Sequence, residues 1–149
     1  MTAPTPPALW RDPWFRLALA AGPVVWGGLA WMGPAATGPA WIAERPGTFL
    51  LLAGAYPVVE ELVFRGGVQG ELARWVPRTR RGPVSAANLA TSALFSGLHL
   101  LSHPPLWAAA VFLPSLVFGA FRDRRSGVGA PILLHGWYNA GYFGLFPPG

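Results

Sequence analysis

The chain contains no cysteine and no lysine, and only six of its 149 residues are acidic. Without cysteine there is no disulfide, no thiolate nucleophile and no thiolate-held metal. Asp12 and Asp123 are the only aspartates, and both sit at the edges of apolar runs, so a paired-aspartate mechanism has no residues to use. No H-E-x-x-H is present to carry a catalytic zinc. No G-x-S-x-G elbow surrounds Ser96, and its spacing of three from His99 on one helix suits mutual attack poorly. All eleven basic residues are arginine, which reads as a coding bias of the source organism rather than as chemistry.

What is present points to a membrane. Hydrophobic residues make up 52% of the chain and charged ones 11%, a balance foreign to a soluble domain of this size. Eight tryptophans fit interfacial anchoring. The net charge of +5 comes from arginines scattered in short loops between apolar spans. That distribution fits anionic lipid beside the loops and no nucleic-acid partner. Residues 1–13 read as a disordered tail without a removed signal peptide, and residues 14–149 as a single transmembrane domain with its functional core at about 48–146.

Five apolar segments predict an all-α polytopic bundle: about Trp14–Met32, Thr48–Gln69, Val84–Leu101, Leu106–Phe121 and Val128–Phe146. Several barely match a hydrocarbon core of roughly 30 Å, so short or tilted helices are expected. Arg11, Arg16, Arg74, Arg78, Arg80, Arg81, Arg122, Arg124 and Arg125 fall on one side of this arrangement, and Arg45 alone on the other. The positive-inside rule then places the N-terminus in the cytoplasm and the C-terminus outside.

Within these spans the sequence carries groups that a purely structural helix would avoid. Glu60 and Glu61 are adjacent in an apolar run, and a carboxylate at mid-membrane costs roughly 2.5–3.5 kcal/mol on insertion scales. Glu61 and Arg65 are four apart and share a helix face, so they can pair, while Glu60 is rotated by about 100° and left free. Pro57, one turn earlier, removes a backbone donor and loosens the helix. His99 follows Phe95 by one turn, and Phe95 can wall the site from lipid. His103 reads as an interfacial residue outside the chemistry. His135 and Asn139, again four apart, can donate together to a developing oxyanion; Asn139 alone could instead be a helix–helix hydrogen-bonder.

Jointly these groups suit hydrolysis of an amide: a carboxylate base polarises water, a histidine holds it, and donors stabilise the oxyanion. A metal held by Glu60, Glu61, His99 and His135 is allowed by ligand type but has no paired-ligand spacing behind it. A proton-coupled carrier would use the same residue types, yet no internal pseudo-symmetry is visible. The segment boundaries put His99 nearer the outer face than Glu60, and His135 at the opposite end of its helix. The spans must be staggered for these groups to meet, or the boundaries lie a turn away.

The motifs E-E-x-x-x-R, F-x-x-x-H and H-x-x-x-N, on successive spans from about Leu52 to Asn139, resemble the CPBP family. That group contains the CAAX prenyl endopeptidases of the Rce1 type and bacterial proteins called Abi. The resemblance implies an intramembrane glutamate-dependent endopeptidase with Glu60 as general base, His99 positioning water, His135 and Asn139 at the oxyanion, and Glu61 and Arg65 in support. It implies no cofactor, a membrane-anchored peptide or protein as substrate, and the bacterial inner membrane as location. The chain is shorter than family members commonly are, close to a bare core plus one helix. It is similar in length and in its Asn139–Phe143 ending to a short group linked to JDVT-type C-terminal sorting tails. Prenylated substrates, or a silent role in bacteriocin immunity, are the alternatives the same family offers.

Overall fold

A computed structural model describes residues 8–33, 36–76, 80–81 and 83–148. Residues 1–7 of the expected tail, and Arg78 of the basic loop, lie outside the described residues. The architecture is all-α, as the sequence predicts. After a turn of 3-10 helix at Leu9–Arg11 come α1 (Pro13–Met32), α2 (Ala40–Glu44) and α3, which runs unbroken over Pro46–Trp75. A hairpin of β1 (Arg80–Arg81) against β2 (Val84–Ser85) leads to α4 (Ala86–His99), α5 (Pro105–Arg125) and α6 (Gly129–Leu145). By length and composition α1, α3 and α5 can cross a membrane. The other two expected spans, α4 and α6, have 14 and 17 residues. At about 1.5 Å per residue they reach roughly 21 and 26 Å, short of a full hydrocarbon core. Their ends fall within two residues of those expected, so the boundaries were not a turn away; the helices are simply short.

The chain divides into two compact units, Met1–Pro57 with Gly136–Gly149, and Val58–His135. In the first, Asp12 caps α1 by accepting from the Trp14 amide at 3.0 Å, with Pro13 in the first helical turn. Pro23, inside α1, cannot donate to the Leu19 carbonyl one turn back. The Trp137 indole of α6 does so instead, at 3.0 Å, and the Tyr138 hydroxyl donates to Ala18 at 2.8 Å. Trp26 returns a bond to the Tyr138 carbonyl and lies against Gly141, where any side chain would overlap its ring. The Leu145 carbonyl accepts from Thr37 and Gly38, and Trp41 donates to the Phe143 carbonyl at 2.8 Å, so the end of α6 is satisfied by the loop and α2.

The second unit packs α4 on α5 through small and polar residues. Ser85 caps α4 by accepting from the Asn88 amide. The Asn88 carboxamide then lies over Gly119 of α5, donating to the Leu116 carbonyl at 2.9 Å and accepting from Ser92. Ser96 donates to the Ala108 carbonyl, and Gln69 of α3 donates to Gly119 and Asp123. Such close backbone approach is what drives helix association where lipid is as apolar as leucine. The exposed surface is correspondingly apolar, with Trp31, Leu101, Leu106 and Leu113 all bare, while Glu61, Arg65, Asn88 and Ser115 are buried. Gly119→Val would force the Asn88 side chain away and is expected to cost about 1–3 kcal/mol of unfolding free energy in detergent. Gly28→Val, at a position facing open space, should cost far less in the same denaturation measurement.

Candidate active site

The two carboxylates differ because α3 is not a uniform α-helix. It widens into π-helical turns at Leu51–Ala55 and Leu62–Val68, on either side of the α-helical Tyr56–Glu61 that carries both glutamates. Such insertions recur at functional sites. Arg65 lies within the second wide turn and still reaches back to Glu61, with Nε 3.2 Å from Oε2 and both side chains fully buried. This is a charge contact rather than a well-aligned hydrogen bond, because its angle is poor. The guanidinium donates from Nη2 to both the carbonyl and the hydroxyl of Ser115, at 2.8 and 2.6 Å. The Phe95 and Phe118 rings lie 5.0 and 5.5 Å from its central carbon. The Arg65 carbonyl in turn accepts from Arg122 Nε at 3.1 Å.

His135, in the second turn of α6, joins the pair from the other side. Its Nδ1 is 2.9 Å from Glu61 Oε1 and its Nε2 is 3.6 Å from Glu60 Oε2. A carboxylate ion-paired with arginine can only accept, so Nδ1 carries a proton and donates it to Glu61. The imidazole is stacked on Phe118, ring centres 4.9 Å apart, and meets Phe95 edge-on at 6.0 Å. His99, the last residue of α4, leans on the other part of Phe95 at 4.7 Å and lies within electrostatic reach of Glu60. His99 Nδ1 is 2.9 Å from the Phe95 carbonyl. That oxygen has no proton to give, so His99 also donates from Nδ1, and its Nε2 keeps a lone pair.

The second unit therefore gathers Glu60, Glu61, Arg65, His99 and His135. Glu61 is enclosed and committed to two partners, whereas the Glu60 side chain remains 35% exposed. Asn139 falls in the first unit, where its amide donates to the Leu52 carbonyl at 2.9 Å, inside the first π-helical segment. Among the described residues no three histidine, aspartate or glutamate side chains converge as metal ligands. Sequence reasoning missed Ser115 and Phe118, which hold Arg65 and His135. Their signal was present as the 3- and 4-residue recurrence of Ser115, Phe118, Gly119 and Arg122 along one face of α5.

Arg65→Met would leave Glu61 as a buried carboxylate without its cation. The expected cost is about 3–5 kcal/mol, read by denaturation of the purified protein. Glu61→Gln combined with Arg65→Met should recover part of that loss, because the stranded charge is removed with its partner.

The family model described as type II CAAX prenyl endopeptidase Rce1-like matches residues 43–141, about two thirds of the chain and all of the residues just placed. Comparisons with curated proteins and with solved structures each returned no match. With half a dozen buried polar groups held between apolar helices and a family match over their whole length, the chain belongs to the Rce1-like family and is an intramembrane endopeptidase, integral to the membrane.

Proposed function

We propose that this protease hydrolyses its peptide bond by a metal-independent, glutamate-dependent mechanism with Glu60 as the base. The observation that carries the reading is the division of labour between neighbours: Glu61 is locked by Arg65 and His135, and Glu60 stays accessible beside the same imidazole. His99 Nε2 and the Glu60 carboxylate are both acceptors, so one water can give a hydrogen to each. Its oxygen lone pair is then turned toward a scissile carbonyl. Glu60 takes the water proton as the C–O bond forms and later gives it to the leaving amine as the C–N bond breaks.

The tetrahedral oxyanion needs donors. His135 can donate from Nε2 while Nδ1 serves Glu61 only when the ring carries both protons. In this reading His135 acts in that form as the first donor. Asn139 is proposed as the second donor on the family resemblance alone. Glu61 and Arg65 act as positioning residues.

The substrate proposed is the membrane-anchoring C-terminal tail of an exported protein in the bacterial inner membrane, with the enzyme's N-terminus cytoplasmic. The family description names prenyl proteins, so a prenylated CAAX peptide is the competing substrate. Purified protein in liposomes would be given both peptide types, beside Glu60→Gln and His99→Ala, with and without chelator. Glu60→Gln is expected to lose at least a hundredfold in kcat, His99→Ala to lose activity as well, and chelator to cause no loss. Cleavage that survives Glu60→Gln, or that chelator abolishes, would overturn the mechanism. Cleavage of the prenylated peptide alone would overturn the substrate assignment.

A further inference from the structure

His103 lies outside the chemistry described so far, yet it is not an isolated surface residue. It follows His99 by four positions, and its amide donates to the His99 carbonyl at 2.8 Å, so a hydrogen-bonded turn after α4 reaches it. The two imidazoles are neighbours, with ring centres 5.5 Å apart and planes inclined by 35°. On its far side His103 stacks with Trp107 at 6.2 Å. Two imidazoles that share one tetrahedral ion through Nε2, at metal–nitrogen distances of about 2.0–2.1 Å, bring their ring centres to about 5 Å.

The second shell matches as well. His99 donates Nδ1–H to the Phe95 carbonyl, which fixes the tautomer and leaves Nε2 as its ligand atom. His103 Nδ1 is 2.9 Å from the Ser102 hydroxyl, which can accept from Nδ1–H and leave Nε2 equally available. Histidine ligands are oriented in this way by a backbone carbonyl or a hydroxyl on the other ring nitrogen. His103 is exposed, so an ion can arrive, and water can fill the remaining coordination positions. Neutral imidazole pairs select borderline transition ions over Mg²⁺ or Ca²⁺, which require oxygen ligands.

We propose that His99 and His103 form a two-histidine site for a divalent transition ion at the end of α4, and that its occupancy inhibits the enzyme. The ion takes the Nε2 lone pair of His99, the same pair that holds the attacking water. The inhibitory half rests on the role given to His99 above; the binding half does not.

Cu²⁺, Ni²⁺, Zn²⁺ and Mg²⁺ would each be titrated calorimetrically into the full chain in detergent, native and as His103→Ala and His99→Ala. One equivalent of Cu²⁺ should bind, more tightly than Ni²⁺ or Zn²⁺, with no Mg²⁺ uptake. Both variants should weaken Cu²⁺ binding at least tenfold. Peptide cleavage by the native protein should fall as the site fills with Zn²⁺, while His103→Ala keeps its basal activity and resists the ion. No Cu²⁺ binding by the native chain, or undiminished binding by His103→Ala, would overturn the site. Equal inhibition of native and His103→Ala would overturn the inhibitory role. Should the native protein cleave neither peptide, the catalytic reading fails while the calorimetry still decides the metal site.

Discussion

The ion pair between Glu61 and Arg65 is the constraint around which the second unit is organised. Each charge alone would be costly to bury, and the pair itself returns little net stability against a well-packed apolar alternative. Its consequence is geometric. Arg65 must find acceptors, which fixes α3 to Ser115 of α5, and Glu61 must accept again, which fixes α3 to His135 of α6. Phe95 and Phe118 then close over the cation and the imidazole from α4 and α5. Four helical segments are thereby tied to one buried carboxylate, and the neighbouring one stays partly exposed.

Backbone groups in this chain are satisfied by side chains wherever the helical ladder is interrupted. Pro23 leaves the Leu19 carbonyl to an indole, and the wide turns of α3 expose Leu52 to Asn139 and Arg65 to Arg122. In lipid no water takes up such groups, so each interruption requires a named donor on another helix. These interruptions hold helices together as well as bending them. The abundance of tryptophan is partly explained by this: Trp26, Trp41 and Trp137 each donate to a backbone carbonyl of a neighbouring helix.

Much of this was legible in the sequence because apolar length and i,i+4 spacing are local properties. The ends of the two short helices, the Glu61–Arg65 pair and the placing of Phe95 against His99 follow from them, whereas α3 runs six residues past its expected end at Gln69. The π-helical turns were not legible, since a single extra residue per turn leaves the apolar pattern of a lipid-facing helix unchanged. Pro57 gave the one hint of loosening, and a wide turn does precede it at Leu51–Ala55. The partner of His135 was also hidden. Residues 61 and 135 are joined by packing of distant helices, and no periodicity links them. Ser115 went unnoticed for a similar reason, since its recurrence with Phe118, Gly119 and Arg122 marks a face of α5 but does not say that an arginine of a distant helix needs it.

The two histidines show why residue type underdetermines role. Each uses Nδ1 as a donor, but His99 gives to a neutral carbonyl and His135 to a carboxylate already neutralised by arginine. For His99 the carbonyl fixes Nδ1 as the donor. His135 instead lies between two carboxylates, with Nδ1 2.9 Å from Glu61 and Nε2 3.6 Å from Glu60. Under the mechanism proposed above, the oxygen on the far side of the ring therefore decides whether an imidazole receives the nucleophile or stabilises the product of its attack. In this chain that choice is made by Phe95 in one case and by the Arg65-anchored Glu61 in the other, two residues that need never touch substrate.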